Sequence, residues 1–187
     1  MNNDWSVIKL GEVIDVSSLV EPPPLERGRI AYINGSVEYD PKEQVDGSLA
    51  RWNHPKYKDT WYDLKKIVEN VIGEKLFPTY YYDRFYFKGQ SLQRHTDRHA
   101  CEISVSLHIS SNIDYEWPLF FEVDGKEIPT TLKTGEAILY KGITVPHWRH
   151  KLIGNQKTYF HQIFFHWVRA NGNYVEHAFD LCSPLNS

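Results

Sequence analysis

From Pro78 to Val168 the chain is a succession of short β-prone runs cut by turn signals, and no other feature limits its fold as much. Residues 102–109 alternate strictly. Ile103, Val105, Leu107 and Ile109 fall on one side, and Ser104, Ser106 and His108 on the other. Successive strand side chains point to opposite faces, so this run reads as a strand with one apolar and one polar face. Residues 80–87 are aromatic and β-prone, and 119–123, 127–132, 137–140, 145–151 and 158–168 read as further strands. Asp124-Gly125 is a hairpin signal; Thr134-Gly135, Lys141-Gly142 and Gly154-Asn155 mark other turns.

One helix precedes these strands. Trp61, Leu64, Val68, Val71 and Ile72 recur at helical spacing, Asp59 or Thr60 is placed to cap the start, and Gly73 suits the end. Residues 6–20 read as one or two short strands. Pro22-Pro23-Pro24 is a stiff break, and 25–58 are expected to be irregular or to form short strands that wall or cover a substrate site. About eight short strands after one helix predict a mainly β domain, a double-stranded β-helix of the jelly-roll, cupin-like kind with a buttressing helix. The expected organisation is one domain over 1–187: N-terminal strands, lid and support helix (1–77), a core (78–168), and a tail (169–187) with a helical turn near 175–179.

Composition removes several function classes. The net charge is -3 with no block of like charge, which gives no electrostatic case for nucleic acid or an anionic membrane. Two cysteines, Cys101 and Cys182, make no disulfide framework and are expected to be reduced. The first residues lack a basic stretch followed by an apolar run, and no segment approaches the roughly 18 apolar residues of a membrane span. A cytoplasmic protein is expected.

His95 and Asp97 are two positions apart and, in extended chain, face the same way. They can hold one metal ion, and a second His would complete a two-His, one-carboxylate face of the non-haem Fe(II) type. The late histidines are His147, His150, His161, His166 and His177. His147 alone has a cation ten residues on, Lys157; His166, the rival, has Glu176 there.

The pattern Tyr86-x-x-Gly89-x-x-Leu92-x-x-His95-x-Asp97, followed by His147 and Lys157, resembles the Fe(II)/2-oxoglutarate-dependent oxygenases of the prolyl 4-hydroxylase-like group, in their short bacterial and phage forms. The resemblance covers roughly 78–168. It implies that His95, Asp97 and His147 ligate the metal and form the catalytic centre. It also implies that Tyr86 bonds a 2-oxoglutarate carboxylate and that Lys157 binds the far one. Arg149, two past His147, is a further cofactor contact, a substrate contact or a salt bridge at the rim. Ser104 and Ser106 either line the cofactor pocket or fill the barrel; Arg98 and His99 either touch substrate or are solvated.

The implied cofactors are Fe(II), 2-oxoglutarate as cosubstrate and dioxygen, with ascorbate in a supporting role. The implied reaction hydroxylates a C–H bond, of a prolyl or other residue in a peptide or protein, and releases succinate and carbon dioxide. The alternatives are a hydroxylase of a free amino acid or small metabolite, and a cupin-like metal protein that does not use 2-oxoglutarate. The partners expected are therefore a peptide, protein or small-molecule substrate, with no nucleic acid and no membrane; the sequence leaves the oligomeric state open.

Overall fold

The structure is a computed structural model that describes residues 5–180. Among the described residues there are twelve strands and one α-helix, and eight of the strands follow the helix, as expected. In chain order these are β1 (Val7–Glu12), β2 (Gly28–Ile33), β3 (Ser36–Asp40), β4 (Leu49–Trp52), α1 (Lys58–Ile72), β5 (Leu76–Phe87), β6 (Leu92–His95), β7 (Ile103–Ser111), β8 (Leu119–Val123), β9 (Lys126–Thr130), β10 (Glu136–Tyr140), β11 (His147–Arg149) and β12 (Tyr159–Arg169). An eight-stranded sheet runs β1-β10-β7-β12-β5-β4-β2-β3, and a four-stranded sheet runs β6-β11-β8-β9. This is the expected two-sheet jelly roll. Of the two forms expected for 25–58, the structure shows short strands: β2, β3 and β4, which widen the large sheet.

Side-chain alternation divides the large sheet into an outer and an inner face. On β7, Ile103, Val105, Leu107 and Ile109 face outward and pack with Trp61, Leu64, Val68 and Ile72 of α1. Fully burying an aliphatic side chain contributes about 1.5–3 kcal/mol, and Leu64, fully enclosed here, anchors the helix. The expected fifth apolar contact fails: Val71 is 44% exposed, one step off the stripe. No side chain caps the start of α1, where Tyr57 stands in place of Asp59 or Thr60. Gly73 closes the helix at φ 73°, and its N–H donates to the Glu69 carbonyl.

The inner face meets the four-stranded sheet. Tyr86, Trp117, Phe121, Tyr140, Phe160 and Phe164 form a second core there. The polar positions of β7 also look inward, so Ser104, Ser106 and His108 are buried and do not face solvent. The β8–β9 turn at Asp124-Gly125 has both residues at positive φ (52° and 70°), which is a primed hairpin turn. A short helical turn at Val175–His177 matches the one expected in the tail. Cys101 is a buried free thiol, and Cys182 lies outside the described residues. Among the described residues no helix is long and apolar enough to cross a membrane.

Candidate active site

His95 ends β6 and His147 begins β11, and the antiparallel register sets them directly opposite each other. Their ring centroids are 4.3 Å apart. Each Nδ1–H donates to a backbone carbonyl two residues earlier: His95 to Gln93 (2.8 Å) and His147 to Val145 (3.0 Å). That fixes the tautomer and leaves both Nε2 lone pairs free for a ligand. Both Nε2 atoms face the same oxygen, Asp97 Oδ1, at 3.5 and 3.6 Å.

Asp97 is held on every side. Its N–H donates to the Gly142 carbonyl (2.9 Å), and Ser104 Oγ donates to Oδ2 (3.3 Å). A Cβ on Gly142 would lie 2.5 Å from Oδ2 and 2.3 Å from the Cys101 carbonyl, so only glycine permits this approach. Burial pushes the Asp97 carboxyl up, but the imidazoles of His147, His95 and His166 more than offset it and hold it below the usual carboxylate range. Burial lowers His147, with Asp97 opposing. At His95 burial is outweighed by the hydrogen bond to Asp97, so its imidazole sits above its ordinary value. Two imidazole nitrogens and one carboxylate oxygen converge, as a divalent ion requires. Ligands about 2.0–2.2 Å from one ion stand roughly 3–3.5 Å apart, close to the spacing seen. The residues therefore fit iron.

Arg149 lies two residues past His147 on the same inward face and is 3% exposed. Its Nη1 donates to the Trp117 carbonyl (2.6 Å) and its Nη2 to Gln162 Oε1 (2.8 Å). Its guanidinium lies over the Trp117 and Phe160 rings, 4.3 and 4.8 Å from their centroids. Both hydrogen-bond acceptors are neutral, Nε is buried without a partner, and no carboxylate among the described residues pairs with it. Burial pushes this guanidinium down to about 10. The other inward arginine, Arg84, is equally buried but pairs with Glu43. Arg149 is thus a buried cation lacking an anion, the feature a carboxylate ligand would complete. Tyr86 is nearby, with its ring edge-on to Trp117 at 5.2 Å.

No family model matches the sequence, and no curated protein does either. Solved structures do match. An oxidoreductase of the 2OG-Fe(II) oxygenase family from Burkholderia pseudomallei superposes with a TM-score of 0.51 at 15% identity, over 62% of this chain and 56% of that one. A prolyl-4-hydroxylase from Pseudomonas putida gives 0.50 at 18% identity, over 67% and 74%. The viral collagen prolyl hydroxylase of Paramecium bursaria Chlorella virus-1, solved with 2OG, gives 0.50 at 12% identity, over 65% and 78%. This chain has the fold of the 2OG-Fe(II) oxygenases. It spans little more than half the length of the Burkholderia protein.

Within this oxygenase fold the structure does not bring Lys157 to the site. Lys157 is exposed in the turn before β12, where its N–H donates to Asn155 Oδ1 and its carbonyl accepts from Asn112 Nδ2, both at 2.8 Å. The inward positions of β12 are Phe160, Gln162, Phe164 and His166. Lys157 precedes the strand and has the outward parity, so ten residues of spacing do not carry it inside. The inward cation that meets β12 is Arg149, from β11 of the opposing sheet, bonded to Gln162.

His95 and Asp97 of the oxygenase-fold triad border a cavity of about 260 Å³ walled by Trp52 of β4, Tyr80 and Tyr82 of β5 and residues 43–44. Trp52 stacks on Tyr82 (4.6 Å) and Tyr80 (4.9 Å), and Arg98 lies over Tyr80 at 4.6 Å. Arg29, Glu43 and Gln44, all from 25–58, add polar groups to its wall. A larger cavity of about 490 Å³, between α1 and the β2–β3 turn, touches none of the triad. Cys101 and His166 also border the smaller cavity, and burial pushes His166 down to about 4 and the Cys101 thiol up. Neither Glu43 nor Trp52 carries a spacing signal in the sequence, since both come from its non-periodic third.

Proposed function

We propose that this protein is an Fe(II)- and 2-oxoglutarate-dependent dioxygenase in which His95, Asp97 and His147 hold the metal and Arg149 holds the far carboxylate of 2-oxoglutarate. The observation that carries this reading is the pairing, on one three-residue strand, of a metal-facing His147 with a buried Arg149 that has no anionic partner. A cupin-like protein without 2-oxoglutarate would have no use for that cation. Iron and 2-oxoglutarate, when bound, supply the oxidising chemistry: dioxygen is consumed, succinate and carbon dioxide leave, and a substrate C–H bond is hydroxylated.

The chain's own contribution is binding and positioning. The backbone carbonyls of Gln93 and Val145 set the tautomers of His95 and His147, so both nitrogens are ready to ligate. Ser104 and Gly142 hold Asp97 so that Oδ1 faces both histidines. Arg149 offers Nε beside its two occupied nitrogens, and Trp117 and Phe160 shield it from water. The Tyr86 hydroxyl accepts from Arg84 (3.4 Å) and keeps its own proton for a carboxylate oxygen.

For the substrate we propose one residue, prolyl or other, of a peptide or protein. A cavity of about 260 Å³ suits a single side chain, and the exposed Thr96 and Arg98 at its rim leave room for the rest of a chain outside. The polar wall of Arg29, Glu43 and Gln44 favours a second reading, a free amino acid or small metabolite held entirely within. Succinate release from 2-oxoglutarate, measured with Fe(II) against matched sets of peptides and free amino acids, decides between them. A folded, iron-loaded sample that releases no succinate with any member of either set counts against both.

A further inference from the structure

We propose that Asp97, Cys101 and His166 form a second cation site, which shares the Asp97 carboxylate with the triad and takes a thiophilic divalent ion of the zinc class. Each residue offers one ligand atom, and the three atoms lie within 4.8 Å of one another. All three border the same 260 Å³ cavity, so an ion reaches them from the open side.

The arrangement of His166 repeats that of the triad histidines. One ring nitrogen, Nδ1, is engaged at 2.9 Å by Ser104 Oγ, while Nε2 is buried with no hydrogen-bond partner. The residue is 2% exposed, and a buried imidazole lone pair without a partner is costly unless something binds it. Cys101, also 2% exposed, is the fourth residue after Asp97, and its Sγ lies 2.8 Å from the Tyr80 hydroxyl. Tyr80 is therefore placed to donate a hydrogen bond to a thiolate. The two oxygens of Asp97 are divided in the same sense. Oδ1 faces His95 and His147, whereas Oδ2 accepts from Ser104 Oγ, the same hydroxyl that engages His166 Nδ1.

A thiolate, an imidazole and a carboxylate oxygen make three ligands of a tetrahedral set whose fourth position opens on the cavity. The thiolate selects zinc-class ions over magnesium or calcium. Binding exchanges the thiol proton for the ion, and that proton leaves to solvent. The inference does not rest on the dioxygenase reading: the two sites share Asp97, but Cys101 and His166 have no part in that reading, and cobalt bound through Cys101 is read without 2-oxoglutarate or turnover.

Cobalt(II) titration of the full chain in a Cys182→Ser background, without oxygen and with a non-thiol reductant, tests it. The expected result is a near-ultraviolet thiolate-to-cobalt charge-transfer band. Adding Cys101→Ser should abolish the band and reduce the bound cobalt by one equivalent, as should His166→Gln. His147→Ala should leave the band in place. Absence of the band while Cys101 is intact overturns the proposal without any core substitution. So does a band that survives Cys101→Ser.

Discussion

Arg149 stands two residues beyond His147 on β11, and the two side chains share the inner face of the small sheet, one towards Asp97 and the other towards Gln162 of the opposing sheet. One strand thus carries both the ligand nearest the chemistry and the cation behind it. Because Arg149 has only neutral partners, its charge is a cost to the free protein. Arg149→Met should leave the apo protein unchanged or more stable by about 1–2 kcal/mol in urea unfolding, as when buried charges elsewhere are replaced by apolar residues. A loss of about 3 kcal/mol or more, the usual cost of breaking a paired buried charge, would show that an anion already compensates it.

Gly142→Ala should damage the metal centre from a distance. The added Cβ would meet Asp97 Oδ2 at 2.5 Å and two further atoms at 2.3 and 2.7 Å, one of them backbone. Overpacking of this kind costs about 1–3 kcal/mol, and here the side chain most able to yield is the ligand. Manganese(II) titration should show at least about tenfold weaker binding, equivalent to some 1.4 kcal/mol. Unchanged affinity in a folded variant would mean that Asp97 does not ligate.

Much of this could be read from the chain. The alternation over 102–109 identified both faces of β7; the His95-x-Asp97 spacing gave two residues of the triad, and the family resemblance, with the Lys157 count, supplied His147, and the three meet in space. Lys157 failed for a definite reason. Counting ten residues from His147 ignores where β12 starts and which parity faces inward, and both depend on the length of the Gly154-Asn155 turn. Arg149 was legible as a residue two past a ligand, but its choice between cofactor, substrate and rim turned on the absence of a carboxylate partner, which only the packed structure reveals. Glu43 and Trp52 reach the site through the pairing of β4 with β5, a long-range contact with no local pattern.

Metal affinity should depend on pH through one proton. Among the ligands only His95 has its folded value raised, while His147 and Asp97 are lowered. The proton on His95 is therefore retained as pH rises past the ordinary histidine value, and is lost only above it. A metal ion must displace that proton, so affinity should fall as pH drops through a range above about 6.5, by about tenfold per unit. Manganese(II) binding measured across this range should show a slope of one proton per ion. A slope of two would mean that His147 is also protonated there.

On the outer face, Asp83 is buried among Arg51, His161 and Tyr57, with Arg51 Nη2 at 2.5 Å and His161 Nε2 at 2.7 Å. Arg51 also pairs with Glu21, which ties the N-terminal third to the barrel. Removing the shared carboxylate leaves buried charge without compensation. Asp83→Ala should cost about 3–5 kcal/mol in urea unfolding. If the folded fraction keeps full metal affinity, this network is structural and separate from the triad. A loss below about 1 kcal/mol would contradict its role.

The direct test of the proposed cosubstrate site is 2-oxoglutarate binding to the Fe(II)-loaded protein without oxygen, by calorimetry, in the native chain, Arg149→Gln and Lys157→Ala. Truncating one partner of a buried charge pair costs about 2–5 kcal/mol, so Arg149→Gln should weaken binding by at least about 30-fold while iron stays bound. Lys157→Ala should bind like the native protein. Loss of affinity in Lys157→Ala with Arg149→Gln unaffected would contradict the assignment.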